Sequence, residues 1–372
     1  MSMRGNWDWN NWKAQFRNRI QTVEALKEFI QVSPEEEKAI KNSEGLYRWA
    51  VTPYYASLMD PTDPNCPIRL QALPTTEELM PNRYSDVDPV GDMKYRVTNR
   101  IIHKYPDRIV MLVTEQCSVY CRHCTRKYHT TDVNGTYFAR QEAESFEEEF
   151  KYIEQHPEIR DVLLTGGDPL TYSDERLEHI IARLRSIPHV EMIRIGTRYP
   201  VLLPQRITKP FCEMLEKYHP IWLNTHFNHP KEITEESASA CNLLLKHGVP
   251  VQNQSVLLKG INDDLETMKE LLHGLLKIRV RPYYLYHCDN VTGVSHFMTS
   301  LEKGIEILRG LVGHTTGFAI PTYVLTTING KIPISIDTIV DYSEQGLTLQ
   351  SYEGKATFIP YLRLQEAVHS KM

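Results

Sequence analysis

The spacing of hydrophobic positions changes character near residue 108. Before it, Phe16, Ile20, Val23, Leu26 and Ile30 recur at intervals of mostly three or four, which keeps them near one face of a helix. Ser33-Pro34-Glu35-Glu36 then supplies a helix start, with serine as cap, proline at the first position and glutamate three residues after the cap. Trp7, Trp9 and Trp12 read as burial groups that pack this region onto the main body. The proline-rich stretch 52–81 is too apolar for a flexible linker and reads as an ordered crossing loop. From Arg108 onward, short apolar runs alternate with amphipathic helical patterns. Strands are expected at 109–114, 162–164, 192–196, 222–226, 251–257 and 280–286, with helices such as 173–186 and 267–277 between them. This alternation predicts an α/β fold with a mostly parallel sheet, either open or curled into a barrel. The polar motifs fall at strand C-terminal ends, which favours the barrel. After Gly317 the pattern turns to β: 318–328 and 331–336 flank Asn329-Gly330, a two-residue hairpin signal, and 347–352 and 356–360 form a further pair.

Composition narrows the class. With 372 residues, 41% of them apolar and 24% charged, the chain can bury a sizeable core. It has no uninterrupted apolar run of about 18 residues, and the first residues lack the apolar centre of a signal peptide, so a cytoplasmic protein without membrane association is expected. The net charge of −5, with Lys and Arg dispersed, gives no electrostatic basis for binding nucleic acid. Of seven cysteines, Cys66, Cys212, Cys241 and Cys288 are scattered without disulfide-like spacing and read as reduced thiols.

The other three carry chemistry. Cys117, Cys121 and Cys124 can wrap one corner of an iron–sulfur cube and leave its fourth iron without a protein ligand. A closed zinc site is the competing reading, with His123, His129 or His103 as fourth ligand. One strand later comes Thr165-Gly166-Gly167-Asp168, where paired glycines let backbone groups approach a ligand closely. Together the two elements resemble the signature of the radical S-adenosylmethionine superfamily.

The resemblance then extends to one family. Cys-Arg-His-Cys-Thr-Arg-Lys, Asp-Val-Leu-Leu-Thr-Gly-Gly-Asp, Ile-Arg-Ile-Gly-Thr-Arg, Trp-Leu-Asn-Thr-His-Phe-Asn-His-Pro, Asn-Gln-Ser-Val-Leu-Leu-Lys-Gly-Ile-Asn-Asp and Lys-Ile-Arg-Val-Arg-Pro-Tyr-Tyr are similar to motifs of the lysine 2,3-aminomutase family, as are Trp-Asn-Asn-Trp-Lys and Thr-Pro-Tyr-Tyr-Ala-Ser-Leu near the start. The resemblance implies a partial (β/α)6 radical S-adenosylmethionine barrel over 96–317, a helical or irregular N-terminal extension over 1–95 and a β-rich C-terminal segment over 318–372. It implies a [4Fe-4S] cluster, S-adenosylmethionine and pyridoxal 5′-phosphate as cofactors. The implied reaction moves the α-amino group of a free amino acid to C3, begun by a radical because no protein base can deprotonate an unactivated C–H bond at neutral pH. An external one-electron reductant of flavodoxin or ferredoxin type and a homo-oligomeric state are implied as well.

Residue by residue, the resemblance assigns Cys117, Cys121 and Cys124 to the cluster and Thr165, Gly166, Gly167, Asp168, His226 and Gln254 to S-adenosylmethionine. Lys331 corresponds to the lysine to which pyridoxal phosphate is bound, although the turn before it is shorter and poorer in glycine than in the family; Lys355 is the other candidate. From the residues alone, Lys331 would be an exposed lysine beside a hairpin. Lys104, Tyr105 and Arg108 correspond to the segment near the cofactor phosphate, with lysine where the family has an arginine. Arg126 corresponds to the residue that binds the substrate carboxylate. Lysine-specific members use two aspartates for the ε-ammonium; Asp289 matches one, and Thr326 stands at the other. The retained acid points to a basic substrate, lysine before arginine, and against glutamate. A relative that acts on a lysine within a protein is the alternative. The C-terminal cysteines that help bind structural zinc in well-known lysine members have no counterpart after Cys288.

Overall fold

A computed structural model describes residues 7–131 and 145–360; residues 1–6, 132–144 and 361–372 lie outside the described residues. Nine strands make one sheet in chain order. They are β1 (Ile101–Tyr105), β2 (Arg108–Thr114), β3 (Asp161–Gly166), β4 (Met192–Gly196), β5 (Ile221–Thr225), β6 (Val251–Leu257), β7 (Arg281–His287), β8 (Thr322–Thr327) and β9 (Gly330–Ile334). β2 through β8 run parallel, and β1 and β9 pair antiparallel at the two ends. All six expected strands are present. The hairpin expected after Gly317 joins the barrel sheet through β8, and a separate three-stranded sheet follows as β10 (Ile339–Ser343), β11 (Gly346–Gln350) and β12 (Ala356–Pro360).

Alternation along each strand separates an outer apolar face from an inner polar one. In β3, Val162 and Leu164 are fully buried while Leu163 and Thr165 stay half-buried; β6 alternates the same way, with Gln252, Gln254 and Val256 on the open side. The outer face packs on helices such as Asp174–Arg185, whose Leu177, Ile180, Ile181 and Leu184 are buried, and Leu265–Lys277, which buries Met268, Leu271, Leu272 and Leu275. Ser173 and Asp264 cap these helices by accepting hydrogen bonds from backbone N–H groups in their first turns. Val23, Leu26, Tyr54 and Tyr55 of the N-terminal region belong to the same continuous core as Ile109 and Met111 of β2.

The two ends of the sheet meet through side chains rather than a ladder. Lys104 Nζ in β1 donates to the carbonyls of Val90 (2.8 Å) and Thr327 (2.5 Å), and the Lys331 N–H in β9 donates to Tyr105 Oη at 2.9 Å. The sheet is therefore curled into a nearly closed barrel.

Several local expectations change. The helical pattern over 16–30 is broken into Trp12–Arg17 and Val23–Leu26, because Ile20 leaves the helix to bridge Val51 and Thr22 caps a new start. The stretch 52–81 is a chain of short helices, Pro53–Ser57, Pro67–Ala72 and Thr76–Leu79, the first two beginning on proline. In the β8–β9 hairpin, Ile328 and Asn329 occupy the turn, while Gly330 opens β9 with φ of +119°. The turn lies one residue earlier than expected because the left-handed conformation that needs glycine falls at the start of the returning strand.

The N-terminal region is bolted to the loop after β2 by a buried charge cluster. Glu78 accepts from Arg122, with Nε at 3.0 Å, and from Lys127 Nζ, and all three side chains are at most 1% exposed. Burial alone would push the Glu78 carboxyl up, but the two cations pull it below its usual value; burial lowers Lys127 to about 8 against the pull of Glu78. The cluster is thus ionised at neutral pH. Removing one member strands a buried charge, so Glu78→Gln is predicted to cost about 3–5 kcal/mol. Lys209→Ala, which breaks an exposed, solvent-screened pair with Glu213, should leave the midpoint almost unchanged. Urea denaturation of the apoprotein measures both, and equal midpoint shifts would overturn the assignment.

Candidate active site

Two adjoining groups of side chains make up the site: a cysteine loop after β2, and a charged cluster in the lumen that the same loop enters through Thr125 and Arg126. The loop after β2 carries Cys117, Cys121 and Cys124, all part-exposed, and the N-terminal region supplies several of the bonds that hold it. Arg19 donates to the Cys117 carbonyl (2.5 Å), the N–H of Tyr120 to Ala50 (3.2 Å) and the N–H of Arg122 to Gln71 (2.9 Å). Burial pushes the thiols of Cys117 and Cys124 up, and the charge of neighbouring cysteines adds to this.

Next to this loop lies the Gly166–Gly167 turn. Gly166 has φ of +126°, and a Cβ on either glycine would collide with a carbonyl, of Thr114 and Gln116 respectively. Only glycine lets the end of β3 pack against the end of β2 in this way. Asp168 is nearly fully buried and its carboxylate is engaged within the protein: Oδ1 accepts from Thr197 Oγ1 (2.7 Å) and the N–H of Leu170 (3.1 Å), and Oδ2 from the N–H of Arg198 (2.8 Å). It ties the ends of β3 and β4 together. His226, just past β5, bonds Asn228 Oδ1 through Nε2 (2.9 Å) and packs edge-on against His123 with centroids 5.3 Å apart. Burial, reinforced by Arg198, drives His226 down to about 3 and His123 well below its usual value, so both rings are neutral. Gln254 lies on the half-buried inner face of β6, and Thr165 does so on β3.

In the lumen, Lys331 and Thr326 are register partners on β9 and β8, so their side chains leave the hairpin on the same face. The Lys331 ammonium sits over the rings of Tyr284 (5.1 Å) and Tyr286 (5.2 Å), which lie on the face of β7 opposite the buried Leu285. Lys331 remains open to solvent, as a group in an incompletely closed lumen does. Crowding by protein nevertheless pushes it down to about 8, helped by Arg194, Arg108 and Arg126 and opposed by Asp289. Asp289 Oδ2 accepts from Thr125 Oγ1 at 2.7 Å, while Oδ1 is buried with no partner. Burial raises Asp289 to about 6. Arg126 donates through Nε to Asp92 at 2.8 Å, which leaves its two terminal nitrogens for another acceptor. Arg108 lies over the Tyr105 ring (3.9 Å) and pairs with Asp107. Lys355 is elsewhere, exposed on the small sheet and paired with Glu353.

Two features of this arrangement lie outside the sequence reading. Lys104 and Asp168 are held by protein partners; Asp92 and Glu78 carried no local signal, and Arg194 and Arg198 lie in the Ile-Arg-Ile-Gly-Thr-Arg motif but had been given no role. Arg194 reaches across β4 to Asp161 at 2.8 Å.

A nearly closed parallel barrel with three cysteines on the loop after its first parallel strand is the core of a radical S-adenosylmethionine enzyme, and residues 111–272 match the family model described as the radical SAM superfamily. Residues 305–368 match a second family model, described as lysine-2,3-aminomutase. The chain is 50% identical over 352 residues to L-lysine 2,3-aminomutase of Clostridium subterminale, covering 94% of this chain and 84% of that one. It is 46% identical over 354 residues to the L-lysine 2,3-aminomutase of Bacillus subtilis strain 168, covering 95% and 74%. Against the glutamate 2,3-aminomutase of Clostridioides difficile strain 630 it is 45% identical over 350 residues, covering 94% and 82%. The chain belongs to the lysine 2,3-aminomutase family and is a radical S-adenosylmethionine aminomutase, an isomerase. The family implies a [4Fe-4S] cluster, S-adenosylmethionine and pyridoxal 5′-phosphate.

An amine that loses its proton near pH 8 becomes a nucleophile more than two units below an ordinary lysine. We therefore predict that pyridoxal captures Lys331 in the apoprotein at a rate that rises with pH and levels off just above 8. Mass spectrometry after borohydride reduction reads the site and the rate; a rate still climbing toward pH 10.5 would show an unperturbed lysine.

Proposed function

We propose that the protein moves the α-amino group of a free basic L-amino acid, L-lysine in the first place, to C3, using pyridoxal 5′-phosphate held by Lys331. The observation that carries this reading is Asp289: a buried carboxylate oxygen without a partner is costly unless something cationic meets it. The fit of the remaining groups supports it. Lys331 offers an amine in the lumen beside two tyrosine rings, and Arg126 offers two free guanidinium nitrogens to a substrate carboxylate. The three part-exposed thiols and the glycine turn, which leaves no room for a side chain, suit a cluster and a ligand pressed close to backbone.

When bound, the cluster with S-adenosylmethionine supplies a radical, and pyridoxal phosphate supplies delocalisation for the migrating nitrogen. The protein's own part is orientation and exclusion. Asp92 grips Arg126 by one edge and turns its outer edge toward the lumen. Thr125 fixes Asp289 so that its free oxygen is the one presented. Thr326, opposite Lys331, adds a hydroxyl where a second acid would stand. Tyr105, Arg108 and Lys104 line the closure beside Lys331; Lys104 acts through the backbone it holds. Glutamate would set a second anion against Asp289 and is disfavoured by charge. The deciding experiment incubates the reduced, reconstituted enzyme with S-adenosylmethionine and each amino acid in turn and identifies β-amino products by mass. β-Glutamate as the main product would overturn the basic-substrate reading.

Lys331→Ala should abolish the visible absorption of bound pyridoxal phosphate, and Lys355→Ala should leave it intact; the opposite result would place attachment on the small sheet. Asp289→Asn removes the charge that faces a cationic side chain, a loss of about 2–5 kcal/mol in a water-poor site. At about 1.4 kcal/mol per decade, kcat/KM for lysine should fall roughly 30-fold or more. Thr326→Asp should raise the preference for lysine over neutral amino acids. Unchanged lysine kinetics in Asp289→Asn would refute the pairing.

A further inference from the structure

We infer that Arg198 tunes the iron–sulfur cluster through Cys121, favouring its reduced state. This rests on Cys117, Cys121 and Cys124 being the cluster ligands and is independent of which amino acid the enzyme uses. Arg198 ends the Gly-Thr-Arg segment after β4 and is 6% exposed. Its Nη1 lies 2.9 Å from Cys121 Sγ. Every other edge of the guanidinium is fixed: Nε donates to the His226 carbonyl (2.8 Å), and Nη2 donates to Gln71 Oε1 (2.5 Å) and Glu232 Oε1 (2.7 Å).

Glu232 is itself immobilised. It accepts from Tyr55 Oη (2.6 Å) and from the N–H groups of Asn228 (2.6 Å) and His229 (3.1 Å), and its side chain is fully buried. A planar cation clamped on three sides has one direction left for its remaining edge, and that direction is the sulfur. Among the described residues no guanidinium donates to the sulfur of Cys117 or Cys124; Cys124 Sγ has the Thr130 hydroxyl at 4.0 Å and the backbone of Arg126. The arrangement is thus asymmetric.

Hydrogen bonds to ligand sulfurs and local net charge are among the factors that set cluster potentials. Reduction adds one electron, delivered by a one-electron donor, and makes the cluster more negative by one charge. Arg198 keeps its proton throughout, and its fixed positive charge at the sulfur stabilises the more negative state. Glu232 opposes it, because the carboxylate neutralises part of that charge.

This opposition supplies the test. The full-length chain is reconstituted with iron and sulfide, and the midpoint potential is read by titrating the paramagnetic signal of the reduced cluster. Arg198→Met would leave Glu232 buried and unpaired, so the paired variant Arg198→Met with Glu232→Gln is used instead. Its midpoint should move negative, with the reduced-to-oxidised ratio at a fixed potential falling about tenfold, which corresponds to about 59 mV for one electron. Glu232→Gln alone should move the midpoint the other way. Arg198→Lys, which keeps the charge and loses the fork, should fall between the paired variant and the unmodified chain. Packing damage alone has no reason to produce shifts of opposite sign. Midpoints that stay put, or that shift in the same direction in the paired and Glu232→Gln variants, would overturn the inference. An unmodified chain with no reduced-cluster signal would overturn the ligand assignment and the inference with it.

Discussion

One buried carboxylate decides whether the cysteine loop has a shape. Glu78 comes from the N-terminal region, and its two cationic partners flank the last cluster cysteine in sequence. Taking three ions out of water costs several kcal/mol each, and only fixed geometry with further hydrogen bonds offsets this. Those bonds are present: Arg122 Nη1 reaches the Arg48 carbonyl at 2.9 Å, and Lys127 Nζ reaches that of Gly293 at 3.1 Å. The cluster therefore joins the N-terminal region, the loop after β2 and the loop after β7 at a single point. The cysteine loop is thereby held from two sides, by its own barrel through Arg198 and Asp289 and by a distant segment through Glu78. The triad also carries one net positive charge, placed where thiolates would gather negative charge.

What could be read in the sequence follows from how local each signal is. The parallel strands announced themselves because a strand covered by helices on its outer face produces a short apolar run. The three cysteines were legible because they lie within eight residues of one another in the chain. Glu78, Asp92 and Glu232 were not, since their partners stand 44, 34 and 34 positions away and an isolated acid has no pattern. β1 was not among the expected strands because His103 and Lys104 interrupt its apolar run, and it exists by pairing with β2. The broken helix over 16–30 is the converse case: the spacing was helical, but the bridge between Ile20 and Val51 outweighed it.

The same comparison explains why Lys331, solvent-open as its neighbourhood suggested, nevertheless stands over two tyrosine rings. An Asn-Gly hairpin ordinarily projects into solvent. Here the strand before it pairs with β7, and Gly304 allows this, because a Cβ there would strike the Tyr323 ring of β8. Once β8 is seated, the hairpin lies across the open end of the sheet and Lys331 is directed inward.

That position joins barrel closure to the chemistry of one residue. The backbone N–H of Lys331 is held by Tyr105 of the opposite end strand, and the carbonyl of Thr327, four residues earlier, is held by Lys104. Thus β1 and the β8–β9 hairpin meet through two residues assigned to the cofactor phosphate by resemblance, at the foot of the side chain assigned to hold the cofactor. A lysine at this position in place of arginine makes sense in these terms: a flexible ammonium with three donors can cap two backbone carbonyls on different segments, a task for which a planar fork is poorly shaped.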